Sequence, residues 1–496
     1  MIGIDVGGYF ILIWAKIAKL KVYDLRFGSI APTIKQISKH KMPLMPVSLC
    51  SSSRFFARVL SLASFSLLIQ LPVQLPAHGA ETKKSISAWL KLSNREKTKV
   101  ESYATDYKAF IHQARTELSF VSETVKLVEA NGFSRLTEKS PMNPGARYYD
   151  VNRDRAMTLI VVGKKAFEQG FRVVGTHIDS PRIELKGRPL YEKQDLALFQ
   201  TYVHGGIKNY QWVNVPLALV GRVDKKDGSH VNISVGLKPD EPVFIVPDLA
   251  PHVDKSLRKR VSRDVIKAEE LDVLVASKPG KDSPVIQQVV KFLKDEYDIS
   301  VADLVSAELS LVPAMKPRDV GFDRSMVAAY GQDDKAAAFA SVKAIMAQQK
   351  PQYTAMAFLV DNEEVGNINN TGAESSYLRD LMGELIYQQL EQKKAQSYSD
   401  HFLRQALKKT KVVSADVNPG VNPNWAGVWD LGNAPKLGFG VNLKLYGGGF
   451  NANSEYIAWT REYLDDAEIS WQTSTYKGKA SGGTIGSDLS RNNMDV

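Results

Sequence analysis

The stretch V-V-G-T-H-I-D-S-P-R-I, residues 173–183, decides how the chain is read. An apolar run with the texture of a buried strand ends in His177 and Asp179, and Ser180-Pro181 then forces a turn. A histidine at a strand end can bind a metal through one ring nitrogen while a carboxylate two residues on orients the other. The same pair can also simply close an ordinary strand. Partners elsewhere in the chain have to decide between the two.

Moving outward, two more apolar runs stop at acidic groups. Thr354 to Val360 ends in D-N-E-E-V-G, and Lys411 to Ser414 ends in Ala415-Asp416. Asp333-Asp334 opens an Ala-rich helix, Lys335 to Gln348, suited to close packing on a sheet. Ligands of open α/β sheets bind outside the carboxyl ends of the strands. His177, Asp361 to Glu364 and Asp416 are therefore expected at one sheet edge, beside the helix start at Asp333. With no cysteine among them, such groups suit zinc or cobalt in a hydrolytic site. In the Glu363-Glu364 pair, one carboxylate can bind metal while its neighbour faces substrate as a general base.

The rest of the chain frames that site. From Ile86 to about Glu129 apolar pairs recur at helical spacing, and Tyr148–Val151 and Leu159–Val162 read as strands. Between about Leu190 and Pro317 the texture becomes that of half-exposed strands. Val213 to Val223 and Val231 to Leu237 alternate around the turn Asp227-Gly228, and a charged segment runs from Asp254 to Lys281. This predicts a β-rich insertion.

Net charge +10 invites a nucleic-acid reading. Residues 1–80, however, hold nine Lys/Arg against two Asp/Glu, and the remainder is nearly balanced. Nucleic acid is therefore not an expected partner. The single cysteine, Cys50, lies in the same leader. Arg54 and Arg58, the apolar run Val59 to Leu71 and the exit P-V-Q-L-P-A-H-G-A describe a secretory signal cleaved near Ala80. The mature protein is then exported, to the periplasm or the medium, and has no stable membrane span. A long stretch precedes the signal, and a start at Met42 or Met45 would place it at the N-terminus.

The pieces T-H-I-D-S-P (176–181), E-L-S-L (308–311), Q-D-D (332–334), D-N-E-E-V-G (361–366), S-A-D-V-N-P-G-V-N-P-N-W (414–425) and S-G-G-T-I-G (481–486) occur in this order. In them the chain resembles the M18 zinc aminopeptidases, a family that includes the aspartyl aminopeptidases and the yeast vacuolar aminopeptidase. The resemblance implies an α/β fold: a three-layer α/β/α zinc-peptidase catalytic domain with an inserted β-rich dimerisation domain. The expected division is leader 1–80, catalytic parts 81–189 and 318–496, and insertion 190–317. It further implies two divalent metal ions, zinc or else cobalt. The first would be held by His177, Asp333 and Asp416, with Asp333 bridging to a second bound by Glu364. Glu363 would be the general base and Asp179 the orienter of His177. Peptides are the implied substrates and a homo-oligomer, dimer to dodecamer, the implied assembly. A histidine from a neighbouring subunit would enter the site, and I-V-P-D-L-A-P-H puts His252 at that position.

Two departures stand out. The family's final strand ends in a histidine that completes the second metal site, whereas here no histidine follows His401. The second site is then expected to lack one protein ligand. An inactive M18-like binding or assembly protein is the alternative reading. The second departure is at L-G-F-G-V-N (437–442), where Gly440 stands in place of the lysine of acid-selective members, with Lys444 close by. Neutral or hydrophobic N-terminal residues are therefore expected to be favoured over acidic ones.

Overall fold

The structure, a computed structural model, describes residues 86–475, 477–478 and 483–496, apart from 395 and 448–449. The expected leader, with its signal segment Val59 to Leu71, lies outside the described residues. Among the described residues no helix is long and apolar enough to cross a membrane.

Ser93 starts helix α1 (Asn94–Gln113). Its hydroxyl accepts the Glu96 N–H while the Glu96 carboxylate accepts the Ser93 N–H. Two donors that a helix start leaves unpaired are thereby satisfied. Thr116 and Ser119 cap α2 (Glu117–Glu129) in the same way. Tyr103, Tyr107 and Ile111 recur every four residues along α1 and are buried together with Phe339, as expected of one face of a helix.

Strands β1 (Ser134–Arg135), β2 (Arg147–Asn152), β3 (Ala156–Val161) and β4 (Arg172–His177) follow. The chain then builds β5 (Arg182–Lys193), β6 (Leu196–His204), β7 (Leu217–Asp224), β8 (His230–Val235), β9 (Val273–Ala276), α3 (Val285–Tyr297) and β10 (Ala307–Pro313). After the small hairpin of β11 (Arg318–Val320) and β12 (Met326–Ala328) come α4 (Gln332–Met346), β13 (Ala355–Val360), α5 (Tyr377–Lys393), α6 (Asp400–Lys409) and β14 (Lys411–Ser414). A parallel pair, β15 (Val441–Lys444) and β16 (Trp471–Ser474), flanks α7 (Ser454–Asp466), and α8 (Gly486–Ser490) follows.

The central sheet has the order β1-β2-β3-β13-β4-β14. β4, β13 and β14 run parallel, and β3 meets β13 antiparallel. Every residue of β13 is buried. Met356, Phe358 and Val360 pack with Leu385 and Ile386 of α5 on one face. Ala355, Ala357 and Leu359 pack with Val342 and Ile345 of α4 on the other. Helices thus cover both faces of a sheet whose inner strands β3 and β13 are buried throughout, which makes three layers.

The second sheet, order β8-β7-β10-β5-β6-β9, is antiparallel throughout. Its core takes in Val285, Val289 and Leu293 of α3. β5, its first strand in chain order, begins at Arg182. The charged segment expected only to connect parts supplies a strand of its own, β9, on β6. Periodicity missed it because four residues are too few to show a pattern among short turns.

Candidate metal centre

Parallel register brings the strand ends together. His177 at the end of β4 lies opposite Val360 at the end of β13, and the Ile178 N–H donates to the Val360 carbonyl (2.8 Å). On the other side, the Ala415 N–H donates to the Gly175 carbonyl (2.8 Å), which places Asp416 just beyond β14. After Asp361 the chain turns through Asn362, with φ 61°, into a short helical turn at Glu363–Val365. Gly331, with φ 76°, leads into α4 and presents Asp333 and Asp334.

His177 Nε2 lies 3.3 Å from Asp333 Oδ1, 3.7 Å from Asp416 Oδ1 and 3.9 Å from Glu363 Oε2. Candidate ligand atoms of His177, Asp333 and Glu364 all lie within 4.8 Å of one another, as do those of His177, Asp334 and Asp416. The expected ligands therefore converge, and Asp334, not expected as a site residue, joins them.

Asp179 ties the cluster together. One oxygen lies 3.2 Å from His177 Nδ1 and accepts the Glu363 N–H (3.1 Å). The other accepts the Glu364 N–H (3.2 Å) and lies 3.1 Å from His204 Nε2. Burial works to raise the pKa of this carboxyl, but hydrogen bonds to His177 and His204 overcome it and hold it well below the usual carboxylate range. One buried carboxylate thus sets the ring of His177 and the backbone of the Glu-Glu pair.

The surrounding acids show the opposite stress. Burial, reinforced by neighbouring carboxylates, raises Glu363 to about 7 and Glu364 to about 8. Burial and the Asp416 charge likewise raise Asp333 and Asp334. Both Asp334 oxygens are buried and lack a hydrogen-bond partner. Acids crowded around one imidazole, with two orphaned oxygens, call for a cation. The donor set of one nitrogen and several carboxylate oxygens, without sulfur, fits zinc.

Other expected residues lie elsewhere. Asp361 turns back into its own loop, accepting from the Asn362 N–H (2.8 Å) and the Thr371 hydroxyl (3.2 Å). His252 is exposed on a turn, outside both ligand groups, and His401 is exposed on α6. Residues 481–482 of S-G-G-T-I-G lie outside the described residues, while Gly483 packs beside Glu363, where a Cβ would sit 3.3 Å from Oε1. Asp495 pairs with β14: its carbonyl accepts the Val412 N–H (2.8 Å) and its N–H donates to Thr410.

Sequence reasoning missed His204, Glu184 and Arg182 on the second sheet, and Lys335 on α4. Lys335 is fully buried and donates to Ser180 Oγ (2.5 Å), which in turn donates to the Asp333 carbonyl. His204 had one signal: it ends a strand and precedes Gly205-Gly206, as His177 ends its own.

A three-layer α/β/α sheet with an imidazole and several carboxylates at its strand ends has the donor set that zinc-dependent hydrolases use. The chain belongs to the M18 family: residues 110–493 match the family described as Aminopeptidase I zinc metalloprotease (M18). A probable M18 family aminopeptidase 1 of Clostridium acetobutylicum is 38% identical over 432 residues, 84% of this chain and 91% of that one. The crystal structure of an M18 aminopeptidase from Thermotoga maritima superposes with a TM-score of 0.78 at 34% identity, covering 83% of this chain and 92% of that one. The S. cerevisiae mApe1 dodecamer, at 20% identity and TM-score 0.63, covering 80% of this chain and 89% of that one, shares the fold. The protein is a metallo-aminopeptidase.

Proposed function

We propose that the chain removes N-terminal residues from peptides with a co-catalytic pair of divalent metal ions, and that Glu363 is its general base. The observation that carries this is the convergence of Asp333, Asp334, Glu364 and Asp416 on the His177 imidazole, more carboxylates than one ion needs, with Glu363 beside them. His177, Asp333 and Asp416 would hold one ion, and Asp333 and Glu364 would hold the second. Asp334, through its orphaned oxygens, would add to the first group. When bound, the ions supply Lewis acidity toward the scissile carbonyl, a lowered pKa for water and an anchor for the free amine. Glu363 takes a proton from water and passes it to the leaving amine, a role its raised pKa near 7 suits. Asp179 keeps His177 and the Glu363 backbone in place while this happens.

Incubating intact peptides with the purified protein and zinc tests the reading. Release of the free N-terminal residue is expected, together with its loss when the amine is blocked. No release from any free-amine peptide would leave the binding or assembly role instead.

Neutral or hydrophobic N-terminal residues are the proposed substrates. Gly440 has φ 101°, and a Cβ there would lie 2.1 Å from the Ser470 carbonyl oxygen, so this position has no room for a lysine side chain. A higher kcat/KM for aspartyl than for leucyl peptides would overturn the preference.

The second sheet is proposed as the dimerisation domain of a homo-oligomer, in which the exposed His252 reaches a neighbour's site. Light scattering of the purified protein, and loss of activity with unchanged mass in His252→Ala, test this. Export is proposed from Arg54, Arg58 and the run Val59 to Leu71, and cell fractionation checks it.

A further inference from the structure

Of the histidines in the described residues, only His177 and His204 are buried. His204 ends β6 on the second sheet, directly across from Arg182 on β5. Its Nε2 lies 3.1 Å from Asp179 Oδ2 and its Nδ1 lies 3.4 Å from Glu184 Oε1. Each of these carboxylates is already committed as an acceptor. Asp179 accepts two backbone N–H groups, which can only donate. Glu184 Oε1 accepts from the Arg182 guanidinium at 2.9 and 2.7 Å.

A neutral imidazole has one donor nitrogen and one acceptor nitrogen, and its acceptor would here face an anion. Nε2 donating to Asp179, with a charged Nδ1–H rather than a lone pair facing Glu184, avoids that repulsion. Charge agrees with this. Glu117 and Asp179 are buried, Glu184 is partly exposed, and Arg182 pairs with Glu117 at 3.2 Å and with Glu184 at 2.7 Å. The hydrogen bonds to Asp179 and Glu184 outweigh burial and the Arg182 charge and raise the His204 pKa to about 9.

We propose that His204 is a positioning residue of the metal centre: an imidazolium clamped between Asp179 and Glu184 that holds the Asp179 carboxylate against His177 and the Glu363–Glu364 backbone. The centre is thus oriented in part from the second sheet, through a side chain outside both ligand groups. The inference rests on His177 and its neighbours being the metal site. Outer partners of metal-ligating imidazoles typically matter by 10–100-fold in affinity or activity.

The test compares zinc-loaded wild type, His204→Gln and Glu184→Gln. We expect His204→Gln to keep its oligomeric mass and KM, to lower kcat about 10–100-fold, and to yield zinc to a competing chelator at about 10–100-fold lower chelator concentration. Glu184→Gln should move both readouts the same way by less. In histidine-15N-labelled wild type, one buried ring should show two protonated nitrogens. A His204→Gln enzyme with wild-type kcat and zinc retention would overturn the proposal, as would a neutral His204 ring. If His204→Gln does not fold, the wild-type spectrum and Glu184→Gln decide. Wild type that neither retains zinc nor releases amino acids would instead overturn the reading of the site itself.

Discussion

The central sheet and the second sheet reach the same site by different routes. In the central sheet, β4, β13 and β14 are parallel, and β13 is sealed between two helical layers. Their side chains have no alternative to packing, so the first polar residues beyond the strands fall together at one edge. In the antiparallel second sheet, β6 alternates buried Ala197, Phe199 and Thr201 with more exposed neighbours. Its last residue, His204, nevertheless leaves that core to meet Asp179. The first sheet supplies groups whose pKa is raised by burial and by their crowding, and His204 of the second joins His177 in keeping Asp179 ionised. Reactive carboxylates and a satisfied carboxylate thus stand side by side because different sheets surround them.

The sharpest way to break the contrast is at Glu363, in the turn that follows a central-sheet strand. Glu363→Gln should lower kcat about 10²–10⁴-fold while zinc content, measured by atomic absorption, stays at the wild-type level. Asp179→Asn acts at the joint between the sheets. The amide cannot accept at both positions where backbone N–H groups point, so zinc affinity and kcat should each fall about 10–100-fold, seen by chelator competition and steady-state kinetics.

Core truncations separate the sheets further. Leu359→Ala on β13 and Leu311→Ala on β10 both empty fully buried sites and should each cost about 2–5 kcal/mol in denaturant unfolding. Only Leu359→Ala, on the strand that feeds the Glu-Glu turn, should also weaken zinc retention. Equal retention in both variants would remove the distinction.

The smallest expected effect concerns metal-free protein and pH. Glu363 and Glu364 are raised to about 7 and about 8 from an ordinary 4.5, so the folded form keeps protons that the unfolded chain has lost. Their contribution is fully present below that ordinary value and is lost as pH rises through 7 and 8. Stripped protein should show a lower Tm at about pH 9 than at about pH 5, and zinc should reduce or reverse the difference.

Much of this was legible in the chain. The apolar runs ending at His177, Val360 and Ser414 became parallel neighbours, since a strand buried on both faces has a continuous apolar signature. The Glu363-Glu364 pair follows a buried strand, and H-x-D foreshadowed the Asp179 contact with His177. Asp361 shows where such reading stops. It belongs to the same acidic cluster, yet it serves its own loop through Thr371, because the direction of a side chain in a turn depends on local backbone angles.

By itself, the sequence determined the helical texture of residues 86–129, the helix after Asp334, the apolar strands ending at His177, Val360 and Ser414, the family motifs and the kinds of group at the strand ends, because all of these are local in chain distance. Only the tertiary structure decided which buried charges pair. Asp179 meets the Glu363 backbone across 184 residues and His204 across 25. Residue type states that a buried charge needs a partner, but the partner is whichever group the packing of the two sheets brings within hydrogen-bond reach.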